Sequence, residues 1–181
     1  MTHPHPAAPA LVAVITETPL GWAGIALSPA GIRHATLFHA TPDAAARELR
    51  AFDAVEGRTP LAADASARLQ AYAAGQPGAL DEFPVDLPPQ LPATSRRVLL
   101  ALREIPPGEV RTYGWLAEHT GLGRANARAV GAIIGANPVP LWLPCHRVVA
   151  ADGSLHGFAG GLAMKRRLLQ LEGALPAALL P

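Results

Sequence analysis

The residues best suited to covalent chemistry stand together in Pro144-Cys145-His146-Arg147-Val148. Cys145 is the single cysteine of the 181-residue chain. A buried cysteine is more often an inert small hydrophobe than a nucleophile. Here a proline pins the backbone ahead of it, and an imidazole and a guanidinium follow directly. A nearby base or cation lowers a thiol's pKa and favours the nucleophilic thiolate, so a depressed pKa is expected for Cys145. Neighbouring side chains on an extended segment point to opposite faces, so His146 needs a bend or a water to reach the sulfur. An imidazole acting as a base also needs a partner for its other nitrogen. Glu172, late in the last helical stretch, is the acid nominated. A carboxylate at a helix end opposes the helix dipole, so a further partner is expected to hold it.

Composition limits what must position these residues. Half the chain is hydrophobic, enough for a core in one or two small domains. One cysteine excludes an internal disulfide. His3 and His5 make a poor metal site, so no metal and no cofactor are expected. No apolar run approaches a membrane span and no signal peptide opens the chain, which suggests a cytoplasmic protein with no membrane partner. The net charge of +1 is unevenly placed: residues 1–94 balance at −4 and residues 95–181 at +5. The second half is therefore the candidate for an anionic partner.

Strands are expected at LVAVITET, GWAGIALS and GIRHATLF, joined by turns at Pro19-Leu20-Gly21 and Pro29-Ala30-Gly31. Thr41-Pro42-Asp43 predicts a capped helix through about Val55, and a second helix is expected from about Asp64 to Ala74. The proline-rich stretch 75–94 reads as an extended linker. Beyond it, Thr94 or Ser95 would cap a helix to Glu104, and Thr112 the next. Glycines at 121 and 123 separate that one from a helix over about Arg124 to Ala136, which suggests a helix-turn-helix. A last helix covers about Leu162 to Glu172. The fold class expected is α+β: a small N-terminal α/β domain with an antiparallel sheet (9–88), then a mostly helical C-terminal domain (89–181).

The stretches IPPGEVRTYGWLA, RAVGAIIGANPVPLWLPCHRVV and GFAGGLAMKRRLLQLEG closely resemble the O6-alkylguanine-DNA alkyltransferases, in the right order, from about Thr94 to Gly173. The N-terminal part resembles the family's smaller domain more loosely, through TPLGWAGIALSPAGI and LQAYAAGQP. The resemblance implies a ribonuclease-H-like first domain, a winged-helix-like helix-turn-helix in the second, and direct transfer of an alkyl group from guanine O6 to the protein. Cys145 would be the acceptor, His146 and Glu172 its activators, Tyr113 the donor to the leaving base and Asn137 a brace for the active-site turn. The product would be a thioether, which offers water no carbonyl to attack, so each molecule would act once. The target atom lies within the base stack, so the nucleotide must be rotated out. The resemblance gives Arg128 the vacated space and places the small-sided helix bearing Ala127 and Ala129 in the minor groove, which carries no full base code. Arg124 and Arg111 would meet phosphates. Pro140, Trp142, Val148, Gly157, Phe158 and Ala159 would form the substrate pocket. The expected partner is double-stranded DNA containing alkylated guanine, bound by a monomer.

Two departures stand out: Phe158 where many members have tyrosine, and Gly135 where some have arginine. Three rivals compete. A non-catalytic sensor of alkylated DNA would share the fold but not the acceptor cysteine. A helix-turn-helix transcription regulator would need base-reading side chains where this helix has alanines. A cysteine hydrolase would need an oxyanion hole, which no motif supplies.

Overall fold

The computed structural model describes residues 11–176; His3 and His5 lie outside them. β-branched residues dominate β1 (Val12–Thr18), and glycine turns return the chain as β2 (Gly21–Ser28) and β3 (Gly31–Ala35). The three run antiparallel. A two-residue strand, β4 (Val55–Glu56), adds parallel to β1, giving the order β3-β2-β1-β4. That parallel edge was not legible from its two residues. Helices cover both faces, which is why Ala23 through Ser28 of β2 are all buried. α1 (Pro42–Leu49) packs Leu49 against Gly24 and the small cluster of Ala13 and Ala26. α2 (Pro60–Ala73) lies over the other face, where Thr16 and Ser66 hydroxyls meet at 2.5 Å.

Both helices start with threonine and proline. The Thr41 hydroxyl accepts from the Ala44 N–H, and the Thr59 hydroxyl from the Ala62 N–H. The second signal, Thr59-Pro60, places the start of α2 four residues ahead of the expected Asp64. α1 ends before Val55, through a 3-10 turn over Arg50–Phe52.

The proline-rich stretch is not an extended linker. It forms a 3-10 turn (Pro77–Leu80) and then runs along β3, with Leu80, Phe83 and Leu87 buried. The Ile32 N–H donates to Pro84 O, and the Asp86 N–H to Ile32 O. A Cβ on Gly31 would stand 2.5 Å from the Pro84 oxygen, so only glycine lets the backbones approach this closely. Prolines deny the segment a regular ladder, while its three apolar side chains find the core.

α3 (Ala93–Ala101) begins ahead of Thr94 and Ser95, at the extended Pro92, so neither caps it. Next comes a short parallel pair, β5 (Arg111–Thr112) with β6 (Val148–Val149). α4 (Tyr113–His119) starts on a Thr112 cap that accepts from the Trp115 N–H at 3.1 Å. A turn at Gly121 and Gly123 and a 3-10 turn (Arg124–Asn126) lead into α5 (Ala127–Gly135). Helix, glycine turn and helix thus follow the expected pattern. α6 (Gly161–Leu171) closes the described chain, with Glu172 at its C-cap. One buried cluster runs from Ile25, Ile32 and Leu69 through Phe83 to Leu99, Leu116, Val130 and Leu168, so the core continues across residue 88. The Ala35 N–H donates to Pro138 O at 2.9 Å, a second tie between the halves. No helix among the described residues is long and apolar enough to cross a membrane.

Candidate active site

The β5–β6 pair brings the two chemical segments together: Arg111 lies opposite Val148 and Thr112 opposite Val149. Tyr113, first residue of α4, therefore sits close to the segment that carries Cys145. Both line one cavity of about 830 Å³, walled by Leu37, Tyr113, Ala127, Arg128, Asn137, Pro140, Phe158 and Ala159 among others.

Cys145 opens a 3-10 turn, Cys145–Arg147, closed by the Arg147 N–H on Pro144 O at 3.0 Å. The segment is thus bent where an extended one was considered. On the approach to this turn, Asn137 Nδ2 donates to Leu143 O at 2.7 Å and its Oδ1 accepts from the Val139 N–H at 3.0 Å. Leu141, buried between them, takes a positive φ of 75°. That backbone disfavours a branched side chain and persists only where its surroundings impose it.

His146 Nε2 meets Glu172 Oε1 at 2.8 Å, and both side chains are fully buried. Glu172 does not stand alone against the helix dipole. Arg147 grips it as a fork, Nε to Oε2 at 2.7 Å and Nη2 to Oε1 at 2.9 Å, while Nη1 donates to Ile105 O at 2.6 Å. Burial alone would raise the Glu172 carboxyl. The hydrogen bonds and charges of His146 and Arg147 outweigh it and hold the group at about 2. A carboxylate at that value can only accept, so His146 Nε2 carries the proton and Nδ1 keeps its lone pair. Nδ1 is buried with no hydrogen-bond partner among the described residues. Burial, ahead of the raising effect of Glu172, keeps the imidazole below its ordinary pKa and therefore neutral.

The thiol departs from expectation. Burial pushes Cys145 up rather than down; the Asn137 hydrogen bond and the Lys165 charge offset only part of this. The adjacent guanidinium does not serve the sulfur, because Glu172 has taken it. At rest the site therefore pairs a neutral thiol with a neutral imidazole. No hydrogen bond joins the sulfur to Nδ1, so such a pair can exchange the thiol proton only through a bridging group such as water.

Tyr113 is half-exposed, and its hydroxyl donates to His156 O at 3.3 Å, a long bond that a ligand could replace. Burial and the Cys145 charge raise its pKa, so it stays a phenol and a donor. Arg124 and Arg128 stand exposed on the cavity rim, with Ala127 half-exposed beside them. Ala129 is exposed on α5 but is not part of this wall. Of the expected pocket residues, Pro140, Gly157, Phe158 and Ala159 line the cavity. Trp142 and Val148 do not: Trp142 turns into the core, with its ring 6.5 Å from that of Phe83, and Val148 is fully buried in β6. Arg111 lies over the Trp115 ring at 5.4 Å and pairs with Glu109.

Three residues escaped sequence reasoning. Lys165 is fully buried and donates to Val148 O at 2.6 Å and His156 O at 3.0 Å, 5.9 Å above the Tyr113 ring. Its signal was present: positions 165, 168, 169 and 172 share one face of a 3.6-residue helix, so Lys165 points where Glu172 points. Leu37 comes from the first half and touches the cavity wall; a Cβ on Gly160 would lie 2.8 Å from its Cδ1. Tyr72, also from the first half, donates to Glu172 Oε1 at 2.8 Å.

The family described as the DNA-binding domain of 6-O-methylguanine DNA methyltransferase matches residues 93–174. A methylated-DNA–protein-cysteine methyltransferase of Methanosarcina acetivorans is 46% identical over 111 residues, which is 61% of this chain and 69% of that protein. The protein of the same name from Mycolicibacterium paratuberculosis is 47% identical over 110 residues, 61% of this chain and 64% of its own. These matches thus span about two thirds of the relatives' lengths. A crystal structure of Mycobacterium tuberculosis OGT in complex with DNA superposes with a TM-score of 0.73 at 31% identity, covering 90% of this chain and 93% of that one.

Proposed function

The chain belongs to the methylated-DNA–protein-cysteine methyltransferase family, and on that premise we propose that it repairs DNA by moving an alkyl group from guanine O6 to Cys145. The observation that carries this reading is the position of Cys145 in the wall of an 830 Å³ cavity, with a neutral imidazole beside it held by a buried carboxylate. The S–C bond forms as the C–O6 bond breaks, and the electron pair leaves with the base. The thiol proton passes through a water to His146 Nδ1, and the Tyr113 hydroxyl donates to the departing base as its charge grows. No group here would free the thioether, so each molecule acts once.

Duplex DNA would meet α5 through its minor groove, with the damaged nucleotide rotated into the cavity. Ala127 and Ala129 let the helix approach, Arg128 fills the gap and Arg124 meets phosphate. The protein would act as a monomer in the cytoplasm. Its first domain, residues 9–88, would be ribonuclease-H-like, and α4 and α5 would belong to a winged-helix-like module in residues 89–181. Arg128→Ala should slow transfer from duplex DNA by roughly tenfold or more, since unstacking costs a few kcal/mol. It should leave transfer from the free alkylated base almost unchanged. Equal losses on both substrates would remove Arg128 from base extrusion.

Intact-protein mass after incubation with a duplex containing O6-methylguanine tests the whole reading. One methyl mass per chain, mapped to Cys145, is the expected result. Tight binding with no mass gain would instead make the protein a sensor of alkylated DNA.

A further inference from the structure

Glu172 is held from three directions, one of them outside the second half of the chain. Tyr72 is fully buried on α2, and its hydroxyl reaches Glu172 Oε1 at 2.8 Å across 100 residues of sequence. The same oxygen accepts from His146 Nε2 at 2.8 Å and from Arg147 Nη2 at 2.9 Å. A carboxylate oxygen offers about two lone-pair directions, so three donors compete for its charge. We infer that Tyr72 is a positioning residue of the transfer reaction: by drawing on Glu172 Oε1 it limits how strongly the carboxylate holds a proton on His146, and so keeps the imidazole free to accept the one from Cys145. This rests on the alkyl-transfer reading above.

The other groups around the pair fix the direction of the effect. Arg147 donates to both oxygens of Glu172. Burial, then the charge and hydrogen bond of Glu172, hold the Tyr72 phenol well above its ordinary pKa, so it remains a donor. Lys165, from α6, adds positive charge that disfavours a protonated His146, as does Arg147. Cys145 shares the cavity with no acid of its own. Opposing them all is Glu172, whose negative charge favours the imidazolium. Each donor that spreads that charge weakens the pull. Removing the Tyr72 hydroxyl returns charge density to Oε1 and raises the proton affinity of His146.

The test is Tyr72→Phe in the full chain, which keeps the ring and deletes one oxygen. His146 would be titrated by NMR in the free protein, and methyl transfer from an O6-methylguanine duplex would be followed in single turnover across pH. The His146 midpoint is expected to rise by about one pH unit, a tenfold change in proton affinity. The acid limb of the rate profile should rise with it, and the final yield should stay at one methyl per chain. A variant that unfolds at lower urea but leaves both midpoints in place would reduce Tyr72 to a packing residue and overturn the inference. A wild-type chain that accepts no methyl would sink the transfer reading itself, and the reaction role of Tyr72 with it.

Discussion

Cys145→Ser is expected to abolish alkyl transfer, by at least about 10⁴-fold, while binding to undamaged duplex stays within about twofold of wild type. A hydroxyl gives up its proton far less readily than a thiol. The base that follows it in the chain is an imidazole that burial already keeps below its ordinary pKa. Attack at an sp3 carbon creates no oxyanion that backbone donors could stabilise, so little residual rate should survive loss of the nucleophile. Serine fits the site: the turn is closed by main-chain bonds, Cys145 N to Leu143 O and Arg147 N to Pro144 O, which the substitution does not touch. Intact mass over several hours, beside a DNA-binding titration, separates the two effects. A serine variant that still gains a methyl would place the acceptor elsewhere in the chain.

Glu172→Gln should cost about 3–5 kcal/mol of stability, the range for breaking a buried ion pair from one side. For a chain of this size that lowers the midpoint of thermal unfolding by roughly 10 °C. The loss follows from Arg147, which is 3% exposed and would face an amide in place of a carboxylate. Transfer should fall as well, by about 10²-fold, since His146 loses the charge that stabilises its protonated form. The pH dependence has a definite sign. The carboxyl sits at about 2 in the folded chain against an ordinary 4.5. A depressed folded value contributes stability that is complete above about 4.5 and is lost as pH falls through 2. Wild type should therefore weaken over that interval by a step that the glutamine variant lacks. Urea unfolding at pH 7, 4 and 3 measures both; a glutamine variant as stable and as fast as wild type would make the network dispensable.

The site was legible in the sequence where chemistry sits on neighbouring residues, and obscure where it depends on long-range partners. Cys145 and His146 announce themselves by adjacency. Glu172 could be nominated, and even its need for a further partner follows from the helix dipole. Which residue answers that need does not. Arg147 looked like a cation for the thiol until folding gave it to Glu172, and the sign of the thiol shift changed with it. Periodicity marks Tyr72 as a core residue beside Leu69, but no pattern says where a buried hydroxyl points. The elements show the same division. Threonine caps and glycine turns set α1, α4 and the three longer strands. By contrast β4, β5 and β6, two residues each, exist only through partners distant in the chain. Composition misled at 75–94, where prolines concealed a segment whose Phe83 reaches Trp142.

The Tyr72–Glu172 bond, together with the Ala35–Pro138 tie, has a consequence for how the chain acquires its reactivity. Each closes a loop of about 100 residues, and the entropy of such closures must be met before their contacts give anything back. Local helices and the β1–β2 hairpin, whose partners are neighbours in sequence, can form earlier. The His146–Glu172 bond spans only 26 residues, so it is the Tyr72 brace on Glu172 that would be among the last features to assemble during folding. Until it does, His146 is paired to a carboxylate that lacks its third donor, and an incompletely folded molecule would present its single thiol to a base not yet tuned as in the native chain.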